Sequence, residues 1–270
     1  DKRIQQKIDR LWDAGIPCIT VNTDLPASKR IAYVGCDDLK CGQTAAGLMK
    51  LITGNHATVG IVTGSHNILS HEERIRGFVD SLSPASIKIA GIVENDDDDY
   101  KSYEAVSALL TEHPDINALY FTAAGVYGGC RAVLKKEIVP HSVRIITFDA
   151  VPSTVEMINA GVISATICQQ PKEQGARSLS LLMDYLLTGA LPDTQLCHHP
   201  ADPQNFLFLQ NEGALHVLHS LLRHTINTPQ ITSVSYGNPE IINISSAPVY
   251  HYFSSKRKSP LFPPVFSTRC

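Results

Sequence analysis

The stretch VRIITFDAVPSTVEMINAGVISATICQQPKEQG, residues 143–175, decides the fold. VRIITF (143–148) is a continuous apolar run rich in β-branched residues, the pattern of a strand covered on both faces. Pro152 suits the first turn of a helix, where its missing N–H would have no partner anyway. That helix is expected to reach Ala160 and stop at Gly161. SATIC (164–168) is a second apolar strand. Pro171 then opens a helix running to Leu187, stopped by Gly189. Strand, helix, strand, helix with short connections is the βαβ grammar of a parallel sheet.

The same grammar extends upstream. Ile4, Ile8, Leu11 and Trp12 form one apolar stripe on a helix over 2–13, and Gly15 with Pro17 ends it. Strands are expected at 18–22, 31–34, 58–63, 87–93 and 117–121, with helices at 38–53, 71–82, 100–112 and 126–137. The expected fold class is α/β, with doubly wound parallel sheets. No repeat of 20–50 residues is present.

Composition narrows the function. The 270 residues are 43% hydrophobic and 18% charged, which is globular rather than disordered. Lys plus Arg total 23 and Asp plus Glu 26, so no strong field draws nucleic acid or an anionic membrane. No apolar stretch approaches the roughly 18–20 residues of a spanning helix. The opening DKRIQQKIDRLWDAG is charged and lacks an apolar signal core. The seven cysteines are odd in number and form no CxxC pair, which argues against a disulfide framework or structural zinc. That usage fits a reducing compartment, so a cytoplasmic location is expected. Residues 198–270 break the pattern. They hold 8 of 16 Pro and 6 of 11 His but only 3 of 26 acidic residues, and are read as an atypical, poorly ordered tail.

In open parallel sheets, ligands bind beyond the carboxyl ends of the strands. The residues there are Asn22-Thr23-Asp24, Gly35-Cys36-Asp37, Gly64-Ser65-His66-Asn67, Thr122, Asp149 and Gln169-Gln170. Amides, hydroxyls and carboxylates together suit a neutral, hydroxyl-rich ligand, because each sugar hydroxyl both donates and accepts. Polar turns are the alternative. Arg74, beside the 64–70 loop, either reaches such a ligand or pairs at the surface with Glu72 or Glu73. The nucleotide, zinc-protease and serine-hydrolase signatures are missing. Ser65, His66, Ser70 and His71 read as loop and helix cap. Asp96–Asp99 precede a helix and complement its dipole without a calcium-loop pattern. Cys36 and Cys41 are either a redox pair or unpaired thiols.

GIPCITVNTD (15–24), YVGCDDLKCGQTAAGLM (33–49), VGIVTGSHNILSHEERIRGF (59–78) and residues 146–175 resemble, in order, type I periplasmic binding proteins. The resemblance is closest to the effector-binding domain of lac-repressor-family transcription regulators. It implies two doubly wound lobes with a sugar or polyol in the cleft between them. Residues 1–36 plus 170–195 would form a partial N-terminal lobe and 37–169 the C-terminal lobe. Crossovers would fall near Cys36-Asp37, near Gln169-Pro171 and after Leu196. The family's ligand contacts fall on Asn22, Arg74, Thr122, Asp149 and Gln169, with Phe148 as an apolar wall.

Transporter members of the family it resembles often carry Asp-Arg where this chain has Asn22-Thr23. The resemblance also implies an N-terminally truncated lobe, weak or no ligand binding by such a chain, and a DNA reader supplied only by a missing upstream segment. Homodimers are suggested by the family. The expected function is effector sensing for a transcription regulator, without catalysis, cofactor or metal. The alternative is the solute-binding subunit of a sugar ABC transporter, in the periplasm or cell envelope.

Overall fold

The computed structural model describes residues 2–136 and 142–192, together with the strands at 207–209, 233–238 and 241–245. Two sheets organise them. In chain order the first elements are α1 (Lys2–Asp13), β1 (Ile19–Val21), β2 (Ala32–Val34), α2 (Asp38–Ile52), β3 (Ala57–Thr63), α3 (Leu69–Asp80), β4 (Ile87–Glu94) and α4 (Asp99–Glu112). Then come β5 (Ala118–Phe121), α5 (Val126–Lys135), β6 (Arg144–Phe148), α6 (Pro152–Asn159), β7 (Ala165–Ile167) and α7 (Pro171–Thr188). Strands β8 (Leu207–Leu209), β9 (Ser233–Asn238) and β10 (Ile241–Ser245) follow.

The large sheet runs β4-β3-β5-β6-β7-β8-β10-β9. The pairings from β4 through β7 are parallel, as the βαβ reading requires. Those among β7, β8, β10 and β9 are antiparallel, so the sheet is mixed. Strands β3, β5, β6 and β7 are buried almost throughout. Their two faces feed two apolar clusters. Ile61, Phe78, Tyr120, Ile146 and Phe148 pack under α2 and α3, and Leu109, Phe121, Val133, Ile145 and Ile163 under α4, α5 and α6. The tail expectation bears on residues 198–270, where the three strands β8, β9 and β10 are described and the rest lies outside the described residues.

The small sheet is the parallel pair β1–β2. Ile31, Ala32, Val34 and Leu181 of α7 are its buried centre, with Trp12, Ile19 and Tyr185 packed against them. The chain passes between the two sheets at residues 35–37, from β2 into α2, and at 168–170, from β7 into α7. These are the two expected crossovers. The third, after Leu196, lies outside the described residues.

Two glycines set the spacing of α2 and α3. A Cβ on Gly42 would lie 2.2 Å from the Arg74 carbonyl, and one on Gly77 would lie 2.0 Å from the Leu39 carbonyl. Only residues without a side chain let the two backbones come this close. α2 starts at Asp38 because Asp37 caps it, accepting the Lys40 N–H at 3.0 Å. α3 begins at Leu69, two residues before the apolar stripe indicates. Backbone bonds from His71 and Glu72 to the Ile68 carbonyl close its first turn. The Asp96–Asp99 run acts at the start of α4. Asp98 accepts the Lys101 N–H, and Asp99 accepts the Gly128 N–H.

Candidate functional site

Arg74 projects from the inward face of α3, alongside Ser70, His71, Ile75 and Phe78. It is 4% exposed, so the alternative of a surface ion pair with its helix neighbours does not hold. Glu73 pairs with Arg76, and Glu72 with His66. The guanidinium is fixed on three sides. Its Nε donates to Asp38 Oδ1 at 2.8 Å, Nη1 to the Thr122 carbonyl at 2.8 Å and Nη2 to Gln169 Oε1 at 2.7 Å. Its Cζ lies 4.1 Å from the centre of the Phe148 ring, a cation–π contact. A guanidinium has five N–H groups. Three have protein acceptors, which leaves one on each Nη among the described residues.

Gln169 continues the chain of contacts. Its Nε2 donates to both carboxylate oxygens of Asp149, at 2.9 and 3.1 Å, and its carbonyl accepts from Gln174 Nε2 at 2.6 Å. Asp149 sits just beyond β6 with φ of 65°, a left-handed conformation that Asp tolerates better than most residues. Thr166 Oγ1 holds its carbonyl at 2.9 Å. Burial pushes the Asp149 carboxyl up from its usual range, against the stabilising hydrogen bond from Gln169. Burial also raises Asp38, to about 6, with Arg74 pulling the other way. Arg74 is the one cation acting on both carboxyls among the described residues.

The sequence candidates therefore fall into two groups. Arg74, Phe148, Asp149, Gln169 and the Thr122 backbone converge at the carboxyl ends of β5, β6 and β7. The Thr122 side chain is fully buried and donates to Thr63 Oγ1 at 2.8 Å, so this residue presents its carbonyl to Arg74 and its hydroxyl to β3. Asn22 stands apart at the exposed end of β1, with φ of 68°. Its N–H donates to the Val34 carbonyl, and its own carbonyl lies 3.1 Å from the Tyr33 hydroxyl. That hydroxyl is also 3.1 Å from the Cys36 carbonyl, which ties the end of β1 to the first crossover. Among the described residues Asn22 has no hydrogen bond to the Arg74 group.

One member escaped the sequence reading. In the sequence Asp38 marks only the start of the helix expected over 38–53. The signal that marks it is the pair Gly42 and Gly77, whose missing side chains bring α2 against α3. His71 is a second support. Its Nδ1 accepts the Ser65 N–H at 3.2 Å, which pins the loop after β3. Burial lowers its pKa, keeping the ring neutral and able to accept. Among the described residues no cluster of His, Cys, Asp and Glu suits a metal ion. Cys18, Cys36, Cys41, Cys130 and Cys168 are free thiols.

The doubly wound α/β fold carries a polar cluster at its strand ends, and its relatives specify the family. The periplasmic binding protein domain family matches residues 1–190, and the chain belongs to that family. The ribose import binding protein RbsB of Escherichia coli is 24% identical over 170 residues, covering 62% of this chain and 56% of the relative. The D-allose-binding periplasmic protein of the same organism is 25% identical over 186 residues, covering 66% of this chain and 60% of the relative. Among solved structures, GanP, a glucose-galactose binding protein from Geobacillus stearothermophilus, superposes with a TM-score of 0.66 at 31% identity. That match covers 70% of this chain and 69% of GanP. The chain thus spans a little over half the length of the curated relatives it matches.

These matches overturn the expected cytoplasmic location, since the family and its relatives are periplasmic binding proteins. The inference failed because a count of cysteines says little about compartment when the thiols are packed away. Cys36, Cys41 and Cys130 are each at most 3% exposed, and burial raises Cys130 to about 12, far from the reactive thiolate.

Proposed function

We propose that this domain binds a small sugar at the Arg74–Gln169–Asp149 cluster, as the solute-binding component of a sugar transporter. The observation that carries the reading is the state of Arg74. Its guanidinium is locked by three protein acceptors and a ring face, with one N–H on each Nη left for a ligand oxygen. Beside it the half-buried Asp149 carboxylate accepts hydroxyl protons, and Gln169 joins the two groups. Donor, acceptor and apolar ring in fixed positions match the alternating polar and C–H surfaces of a pyranose or furanose. The sugar-binding relatives favour transport over effector sensing for a regulator. The site residues, including Asn22 and Thr122, stand as proposed contacts or supports, and the reading involves no catalysis.

Binding would transmit through the crossovers. Arg74 touches Asp38, at the exit of the first, and Gln169, inside the second. A ligand that draws on Arg74 and Asp149 acts on both hinge segments, and it shifts the lobes only so far as it prefers one arrangement. The test is calorimetric titration of the chain with D-ribose, D-allose, D-xylose, L-arabinose, D-glucose and D-galactose, carried into the millimolar range. Saturable binding of at least one sugar, abolished by Asp149→Ala, is expected. No binding by any of the six, or binding indifferent to Asp149→Ala, rejects the reading.

A further inference from the structure

A buried arginine with two unused N–H groups is, by itself, a receptor for anions. Its planar fork fits carboxylate and phosphate better than it fits a hydroxyl. What the site does with that preference depends on the charges around it. Asp38 Oδ1 lies 2.8 Å from Arg74 Nε, and the two side chains are 7% and 5% exposed. Asp149 stands on the far side of Gln169, with both oxygens engaged by its amide. The cluster therefore holds one cation against two carboxyls. Asp37, half-buried before α2, and Glu73 on α3 add negative charge near Asp38, not positive.

We propose that Asp38 is a specificity-determining residue, which neutralises Arg74 so that the site takes neutral sugars and rejects sugar acids and sugar phosphates. This rests on the sugar-binding reading above. Asp38 need not touch the ligand. It occupies the outer edge of the guanidinium and cancels its charge, while the two Nη N–H groups remain as ordinary donors to hydroxyl or ring oxygens. An anion approaching Arg74 meets a pair already satisfied, with a second carboxylate beside it, in a setting too buried for water to screen the repulsion. The arrangement discriminates by placing an unfavourable interaction against the wrong ligand rather than by adding contacts to the right one.

The experiment compares matched neutral and anionic ligands in the wild type and in Asp38→Asn, which keeps an acceptor for Arg74 Nε and removes the charge. The pairs are D-glucose with D-glucuronate, D-galactose with D-galacturonate, and D-ribose with D-ribose 5-phosphate. Asp38→Ser, which keeps a smaller oxygen acceptor, serves as second variant if circular dichroism shows the first to be unfolded. In the wild type the neutral member is expected to bind at least about tenfold tighter. In the variant the ratio is expected to move at least about tenfold toward the anion, for at least one pair. A variant that weakens both members equally, or gains no anion, overturns the proposal and leaves the sugar reading standing. A wild type that binds no neutral sugar, with a variant that gains an anion, rejects the sugar reading and supports the role of Asp38. If neither protein binds anything, both fall.

Discussion

Arg74 on α3 donates its Nε–H to Asp38 on α2 at 2.8 Å, across 36 residues of sequence and inside the protein. The pair joins the helix that leaves the first crossover to the group that reaches the second. Removing one member of such a pair is far costlier than its net value, because the remaining charge stays buried without a partner. Arg74→Ala is expected to lower unfolding free energy by about 3–5 kcal/mol. It should also abolish sugar binding. Arg74→Lys should lose most of the binding as well, since an ammonium cannot serve three divergent acceptors in one plane. Urea unfolding and calorimetric titration of both variants check this.

The spacing of α2 and α3 can be tested without touching a polar group. Gly77→Ala places a methyl where the Leu39 carbonyl stands, and backbone cannot yield as a side chain would. The helices must separate, which is expected to cost about 1–3 kcal/mol or more. Because the shift moves Asp38 away from Arg74, affinity should fall too. Gly47→Ala is the control. A Cβ there meets nothing within 4 Å, so that change should be neutral or slightly stabilising. Thermal melts of the two variants should differ clearly.

Buried His71 gives stability a pH dependence. Its folded pKa lies below the ordinary 6.5, with burial as the main cause. The unfolded chain therefore takes up the proton first as pH falls. Stability from this group is complete above about 6.5 and is lost as pH drops through the depressed folded value. Asp38 works in the other direction. Its folded pKa is raised from 3.8 to about 6, so its contribution is full below 3.8 and is lost as pH rises through about 6. His71→Gln should flatten the acid side of a stability–pH curve, and Asp38→Asn should remove the fall between pH 4 and 6. Unfolding free energies measured every half unit would show both, and unchanged curves would refute the assignments.

Tyr120 lies at the centre of the large sheet, stacked on Phe78 at 4.3 Å between ring centres. Its hydroxyl is buried and has no hydrogen-bond partner among the described residues. Deleting an unsatisfied buried polar atom while keeping the ring removes a desolvation penalty at little cost in packing. Tyr120→Phe is therefore expected to stabilise by about 1 kcal/mol. A loss of that size in a denaturant titration would mean that the hydroxyl has a partner after all.

Most of the fold was legible because it rests on local rules. Continuous apolar runs such as VRIITF and TVGIVT have one economical explanation, a strand covered on both faces. Gly161 and Gly189, both at positive φ, mark helix ends that the sequence alone announces. Much of the candidate site was legible for a related reason. In a parallel sheet the residue after a strand stands at the ligand-binding edge, so Thr122, Asp149 and Gln169 follow from the strand boundaries. What misled was composition. The cysteine count points to a reducing compartment, yet three of the thiols, Cys36, Cys41 and Cys130, are simply packed in the core.

Sequence by itself thus determined the order of strands and helices, the parallel half of the large sheet and the rank of polar residues along its edge. Each of these depends on the preferences of a residue and its neighbours in the chain. Tertiary structure decided how those residues are used. It turned Arg74 inward, gave the Thr122 carbonyl rather than its hydroxyl to the guanidinium, set Asn22 apart and brought Asp38 into the site. Those outcomes depend on the distance between α2 and α3 and on the burial of charge. Both are properties of packed surfaces far apart in sequence, where the low polarity of the interior makes each buried charge find its partner.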